Sequence, residues 1–498
     1  MKKSLRISWI ILLLNICIPF AALSQGSVAP GPEFGAFLER INQAEVNERQ
    51  AIADSFITAQ TAFPVIESDT IVAYIYTGNV SSVHIPGDAN GWGSSAFPMS
   101  RIPDTKMWYR LENFETDARL DYKFILNGSN WILDPRNNNR VSGGFGPNSE
   151  LRMPQYEFPT EINYRANIPH GSLKDTTVSS SVLNNSRRVY LYFPPGYDAA
   201  ESKSYPMMLF HDGTEFLELA NATNVLDFLI HEQRIVPMIG VFVPPVDRNN
   251  EYAWDHTANF EKFITEELVP VLEEKYSVST LPAEKSMIGA SYGGLITAQI
   301  VYNNPEVFGK AAILSTAFWA KNQTVYNQIM NGSKKEISWY IDWGTYEGSG
   351  ITDYSPPFTA MLDEQGYAFK ANIWHDGHSW GNWRAHVDEA LEFFFPFSDS
   401  TSTELKIEDQ PTAFKLNQNY PNPFNPSTKI TFSLTKPTQL TLKVFDALGR
   451  ELSVLAQGKY ASGSYSIDFS GAGLSSGLYI YTLTTENGSS TRKMLLLK

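Results

Sequence analysis

In Ser286-Met287-Ile288-Gly289-Ala290-Ser291-Tyr292-Gly293-Gly294, a serine is framed by glycines in the pattern G-x-S-x-G. Residues 286–288 follow the polar run Pro282-Ala283-Glu284-Lys285 and read as a short buried strand. Beyond the turn, Leu295, Ile296, Ile300 and Val301 recur at helical spacing. Strand, tight glycine turn and helix are the context in which this pattern presents a serine hydroxyl at a sheet edge. Small neighbours are needed because the backbone there is strained. Alone, the pattern is common in unrelated chains, and its plain alternative is a chance glycine turn.

A serine hydroxyl is a weak nucleophile and needs a base, which an acid must orient. In sites of this kind the acid and then the histidine follow the serine in the chain. The downstream histidines are His375, His378 and His386. In Trp374-His375-Asp376-Gly377-His378-Ser379-Trp380-Gly381-Asn382-Trp383, Gly377 permits a sharp loop and tryptophans follow His378, the candidate base. His375 reads as a packed residue at the end of the strand-like run 369–374. His386, within the amphipathic stretch 385–395, reads as a helix-surface or packing residue. For the acid, the aromatic and β-branched run 337–344 reads as a strand ending in the loop Thr345-Tyr346-Glu347-Gly348-Ser349-Gly350. Glu347 lies past the strand end, where a carboxylate can reach a histidine loop. Asp342, which inside the strand can pair with a buried donor, and Asp353 stay open, as does a serine–histidine dyad.

Backbone N–H groups must hold the oxyanion. Tyr292, directly after the serine, is one candidate donor. The second is expected on a loop after an earlier strand. Residues 205–210 read as that strand, and His211-Asp212-Gly213-Thr214 comes next, so the second donor is Gly213 or Thr214. His211 and Asp212 precede the serine and read as hydrogen-bonding loop residues. Arg248 and Trp380 are candidates for the substrate site, with packing or salt bridging as the alternative.

Taken in order, these motifs resemble the esterase D and enterochelin-esterase-like branch of the α/β hydrolases, from about residue 171 to 396. The resemblance also includes Arg187-Arg188-Val189-Tyr190-Leu191-Tyr192-Phe193-Pro194-Pro195-Gly196-Tyr197, Arg248-Asn249-Asn250-Glu251-Tyr252, Phe260-Glu261-Lys262-Phe263-Ile264 and the Gly-His-x-Trp-x-x-Trp ending. It implies an α/β hydrolase domain and a serine carboxylesterase. The family includes siderophore esterases, feruloyl esterases and mycolyltransferases. Asp376 is a departure, because relatives often carry glycine before Gly377.

The formal charge of −14, from 39 basic and 53 acidic residues with no basic cluster, argues against nucleic acid as a partner. At 498 residues the chain is long enough for several cores. Residues 1–24 read as a secretory signal, with Lys2, Lys3 and Arg6 before an apolar run and Ala22-Leu23-Ser24 as a cleavage site. The apolar run is short for a membrane anchor. The sole cysteine, Cys17, lies in this segment, so the exported chain has no disulfide and no cysteine nucleophile. No other segment is long and apolar enough to span a bilayer, and no metal-ligand set or cofactor motif stands out.

After a polar linker comes Phe414-Lys415-Leu416-Asn417-Gln418-Asn419-Tyr420-Pro421-Asn422-Pro423-Phe424-Asn425-Pro426. Alternating strands come next at 429–434 and 439–445, with a turn at Asp446-Ala447-Leu448-Gly449-Arg450, which together mean a small β-sandwich. The pattern is similar to the C-terminal sorting domain of type IX secretion cargo, over residues 414–498. That implies the type IX secretion machinery as a partner and a secreted or cell-surface protein of a Gram-negative bacterium. An ordinary adhesive sandwich is the alternative.

At the front, residues 34–60 show helical spacing, and these helices are expected to pack on the domain after them. Strands are expected at 70–76, 82–86, 108–111 and 121–126. Pro86-Gly87-Asp88-Ala89-Asn90-Gly91-Trp92, Tyr122-Lys123-Phe124, Trp131, Asp134-Pro135 and Gly146-Pro147-Asn148 come in an order similar to the glycogen-binding and isoamylase N-terminal module, an immunoglobulin-like early-set sandwich. The resemblance implies that Trp92 and Trp131 stack on sugar rings while Lys123 and Asn148 bind hydroxyls. Such a module would not meet a small aryl ester. The alternative is a structural sandwich that shapes the esterase mouth.

The expected layout is thus a signal peptide (1–24), a helical segment (25–64), an early-set, carbohydrate-binding-type β-sandwich (65–154), an α/β hydrolase domain (155–397), a linker (398–412) and a sorting sandwich (413–498). The expected activity is hydrolysis of feruloyl or acetyl esters on plant-type polysaccharides. The alternatives are a catecholate siderophore esterase and a surface binding protein without activity.

Overall fold

The computed structural model describes residues 28–199, 203–397 and 414–497, the last with short interruptions. The signal segment, the linker and turn residues 447–449 lie outside the described residues. The chain divides into two compact units, one up to Ser398 and one from Asp399.

An eight-stranded sheet organises the first unit. Its order is Ser172–Ser180, Asn185–Phe193, Ile239–Val243, Met207–His211, Lys285–Ala290, Lys310–Leu314, Ser338–Gly344 and Ala368–Trp374. The first two strands form an antiparallel hairpin, Asn185–Phe193 runs antiparallel to Ile239–Val243, and every later pairing is parallel. Strands such as Met-Met-Leu-Phe-His and Ile-Gly-Val-Phe-Val are buried throughout, the continuous apolar pattern of parallel strands covered on both faces. One face packs on Phe260, Leu272, Leu295, Ile296 and Phe358, and the other on Phe216, Leu226, Leu229, Val387 and Leu391. His211, Ala290, Gly344 and Trp374 all end parallel strands, so the segments after them gather outside the carboxyl edge, where open α/β sheets bind ligands.

The helices Pro32–Gln43 and Val46–Ala59 set Phe34, Phe37, Ile41, Ala53 and Ile57 against Val65, Ala73, Ile75, Tyr109 and Leu111 of the next sheet. That sheet holds Val65–Glu67, Ile71–Thr77, Met107–Asn113 and Ser100–Arg101. The strand expected over 121–126 is instead two strands in two sheets. Arg119–Tyr122 pairs with Asn148–Arg152, while Phe124–Leu126 pairs with Val83–His84 and Asn130–Ile132. The chain changes sheet at Lys123, whose N–H bonds the Pro86 carbonyl (2.9 Å).

In the second unit, Phe414–Leu416, Ser427–Leu434 and Gly463–Ser470 form one sheet, and Glu451–Tyr460, Thr438–Asp446, Gly477–Thr485 and Gly488–Leu496 another. Alternate residues of both, among them Ile430, Phe432, Leu442, Val444, Tyr481 and Met494, share one core.

Candidate active site

Ser291 lies between the strand Lys285–Ala290 and the helix Tyr292–Asn303 with φ 58° and ψ −116°. A side chain held there stores roughly 1–3 kcal/mol, which the surrounding structure must enforce. The Ser291 N–H donates to the Leu314 carbonyl (2.9 Å), and the Ser291 carbonyl accepts from Leu295 (3.1 Å) and Ala317 (3.2 Å). The glycines follow from close approach. A Cβ on Gly289 would overlap the Gly293 backbone, and one on Gly294 would stand 2.5 Å from Thr316 Oγ1.

The structure brings Ser291, His378 and Glu347 together. Ser291 Oγ is 3.0 Å from His378 Nε2, and His378 Nδ1 is 3.3 Å from Glu347 Oε2. Glu347 is buried, and its Oε1 accepts from Ser315 Oγ (2.5 Å), the Gly344 N–H (3.1 Å) and Asn382 Nδ2 (3.3 Å). Trp383 Nε1 donates in turn to Ser315 Oγ (2.9 Å), and its ring meets the His378 imidazole edge to face at 5.1 Å. Sequence reasoning missed Ser315, Asn382 and Trp383 as supports of Glu347. The last two stand in the His378 segment, and Ser315 comes directly after a strand end.

The other carboxylates and histidines go elsewhere. Asp342 is buried within Ser338–Gly344 and accepts from Tyr340 Oη (3.1 Å). Burial pushes its carboxyl up to about 7, partly countered by His386 and the Tyr340 hydroxyl. Asp353 is exposed after the short helix Ser349–Thr352. His375 Nδ1 lies 2.6 Å from Asp117 Oδ1, and His386 stacks on Trp374 with ring centroids 3.8 Å apart.

Gly213 and Thr214 open the helix Gly213–Glu218, and Tyr292 opens Tyr292–Asn303, so their N–H groups belong to first turns that lack an intrahelical partner. Gly213 is required where it stands, because a Cβ would overlap the backbone of Phe242 and Val243. Asp212 receives Arg248 in a two-pronged bond, Nε to Oδ1 at 2.7 Å and Nη2 to Oδ2 at 2.8 Å. His211 departs from the expected loop hydrogen bonding. Its ring is fully buried against Tyr252 and Phe260, and neither nitrogen has a partner among the described residues. Burial, and then Arg248, bring its pKa down to about 3, so the ring is neutral.

One cavity of about 790 Å³ is lined by Ser291, His378, Glu347, Asp212, Glu215, Arg248, Trp380 and Trp383. Trp92, Lys123, Trp131 and Asn148 of the front region line the same cavity, together with Phe145. The candidate sugar-binding residues and Ser291 therefore line one cavity. Trp92 Nε1 donates to Asp88 Oδ1 (2.9 Å) and Asn148 Nδ2 to Asp121 Oδ2 (2.9 Å), while Trp131 is 45% exposed. Trp380 is nearly buried against Phe216 and Trp383, so it packs as well as lines. Among the described residues no acidic, histidine or cysteine cluster could hold a metal ion, and no helix is long and apolar enough to cross a membrane.

Residues 180–394 match the family model described as "Putative esterase", and residues 418–497 match the secretion system C-terminal sorting domain. The chain thus carries an esterase-family domain and a sorting tail that points to export by type IX secretion. Uncharacterized protein YbbA of Bacillus subtilis is 29% identical over 33% of this chain and 70% of its own length. The endo-1,4-beta-xylanase/feruloyl esterase of Xylanibacter ruminicola is 27% identical over 30% of this chain, a match spanning only 22% of that protein. The iron(III) enterobactin esterase of Escherichia coli K12 is 28% identical over 38% of this chain and 46% of its own length. The crystal structure of ferric enterobactin esterase from Salmonella typhimurium shares the fold. Its TM-score is 0.60 at 18% identity, over 68% of this chain and 98% of that one.

Proposed function

We propose that this chain is an exported serine carboxylesterase in which Ser291 attacks the ester carbonyl. His378 takes the serine proton and returns it to the leaving alcohol, and Glu347 orients His378 and stabilises its imidazolium. The N–H groups of Tyr292 and of Gly213 or Thr214 hold the oxyanion, and water then hydrolyses the acyl-enzyme. The observation that carries this reading is the continuous hydrogen-bonded chain Ser291–His378–Glu347, opening into one cavity. In the same reading residues 1–24 are a signal peptide and 398–412 a linker, and the front region from residue 65 to 154 is a module that contributes the far wall of the cleft.

For the substrate, the proposal is a feruloyl or acetyl ester on a plant-type polysaccharide. Similarity to a xylanase/feruloyl esterase supports it, as does a wall carrying Trp92, Trp131 and Phe145, whose faces suit pyranose C–H surfaces and planar acyl groups. A second reading, hydrolysis of a catecholate trilactone, draws on the similarity to enterobactin esterases and on Lys123 and Arg248, two cations lining the cavity. Parallel assays of the purified protein on feruloylated arabinoxylan fragments, acetylated xylan and a catecholate trilactone separate the two. Preferential turnover of either glycan ester upholds the first reading, and preference for the trilactone overturns it. Failure to cleave any of them, or simple aryl esters, would leave a binding protein.

A further inference from the structure

The loop that carries His378 is held from two sides. From the hydrolase side, Asn382 Nδ2 donates to the Gly377 carbonyl (3.1 Å) and the Tyr346 N–H to the Asp376 carbonyl (3.0 Å). From the front region, Arg119 does more. Its N–H donates to the His375 carbonyl (2.9 Å), and its backbone bridges to Asp376 in parallel register. Its fully buried guanidinium divides its donors among Asp121, Glu150 (2.6 Å), Asp376 (3.4 Å) and Ser379 Oγ (3.0 Å). The last two flank Gly377 and His378.

The two glycines of this segment fit the same surface. A Cβ on Gly377 would overlap the Asp88 carboxyl, and one on Gly381 the Arg119 guanidinium. Asp88 is itself fixed by the Asp121 N–H (2.7 Å) and by Trp92. The His378 side chain is 38% exposed and meets Trp383 edge to face, so the backbone of its loop, together with Glu347, sets where Nε2 stands relative to Ser291. Asp376, the departure from the family's glycine, is the carboxylate through which the front region reaches that loop.

We propose that Arg119 is a positioning residue for ester cleavage, holding the His378 loop through Asp376 and Ser379 from outside the esterase-family region. This rests on the reading of His378 as the base. A planar fork with several donors suits the task, and lysine cannot replace it. A misplacement of about 1 Å in a catalytic group costs on the order of 100-fold in rate, which sets the scale of the effect.

The test measures p-nitrophenyl acetate hydrolysis and thermal unfolding of the full chain. It compares Arg119→Lys, Asp376→Asn, the double variant and Ser291→Ala. For Arg119→Lys, kcat should fall about 10- to 100-fold while KM stays within about threefold. Asp376→Asn keeps the loop shape and relieves an excess of buried carboxylates, so it should fold even if Arg119→Lys does not. Its kcat should fall about 5- to 20-fold, and the double variant should be no worse than Arg119→Lys, because the two residues act as one unit. A kcat within about twofold of wild type in folded Asp376→Asn overturns the proposal, as does a loss carried by KM alone. If Ser291→Ala keeps activity, the fault lies instead with the reading of the nucleophile.

Discussion

The two walls of the cleft are built on different terms. On the hydrolase side, Glu347, Ser315, Asn382 and Asp212 are buried and tied by hydrogen bonds to one another or to neighbouring elements. On the front side, Trp131 is half in solvent and Phe145, between Gly144 and Gly146, is fully exposed. A wall that must place a proton within a fraction of an ångström cannot tolerate loose side chains. A wall that lies along a ligand surface can, because stacking and contact fall off gently with position. Substitutions on the first wall should therefore act on kcat by orders of magnitude, and those of the exposed rings on the second on binding by much less.

The largest effect is expected at Ser291. Ser291→Ala replaces a small residue by a smaller one in a backbone held by three hydrogen bonds, so the protein should fold. Ester turnover should drop by ~10⁴–10⁶-fold, as when members of a catalytic unit are removed singly. Clean protein turning over within tenfold of wild type would remove the distinction between the walls.

Next comes the acid. Glu347→Gln keeps shape but removes the charge facing the imidazolium, and turnover should fall by up to ~10⁴-fold, less than for Ser291→Ala. Asp342→Asn should leave turnover within about threefold, and it carries a signature of its own. The folded Asp342 carboxyl titrates at about 7, whereas in an unfolded chain an aspartate titrates near ~3.9. The fold thus holds a proton that the unfolded chain has released. The stability this contributes is full below about pH 4 and is lost as pH rises through about 7. Asn does not titrate, so the Tm of Asp342→Asn relative to wild type should climb between pH 4 and 7 and then level off. A loss of turnover greater than that of Glu347→Gln would give the role of acid to Asp342.

How much of this was legible in the chain depended on range. The serine turn was readable because strand, glycines and helix are contiguous, and the glycines are there for contacts within a few residues of Ser291 and with the next strand. His378 was readable from a glycine loop between a strand and a helix. Glu347 could be preferred to Asp342 only by its place past the strand end, since no pattern reports the 3.3 Å approach to His378. The Arg119–Asp376 pair, 257 positions apart, left no local trace beyond an aspartate where a glycine was expected. The run 121–126 was misread for a related reason. Alternation gives the inward face of a strand, but not that the chain changes sheets at Lys123. The same corner carries Lys123 into the Ser291 cavity, which alternation alone does not report.

The smallest effect is expected on the exposed wall, and there Trp131→Ala and Trp92→Ala should behave differently. The Trp131 ring is 45% exposed, so its removal should barely change Tm. Trp92 donates to the buried Asp88 carboxyl, and Trp92→Ala leaves that oxygen short of a partner, so Tm should fall. A ring that stacks on a sugar as proposed would contribute about 0.5–1.5 kcal/mol, which is about a 2- to 13-fold change in affinity. On a feruloylated or acetylated xylan fragment, Trp131→Ala should raise KM by that factor with kcat nearly unchanged. On p-nitrophenyl acetate, which carries no sugar to stack on Trp131, KM should stay within twofold. Equal losses on both substrates would mean that Trp131 shapes the cleft rather than touching the ligand. Loss confined to a catecholate trilactone would move the substrate assignment to the second reading while leaving the contrast between the two walls intact.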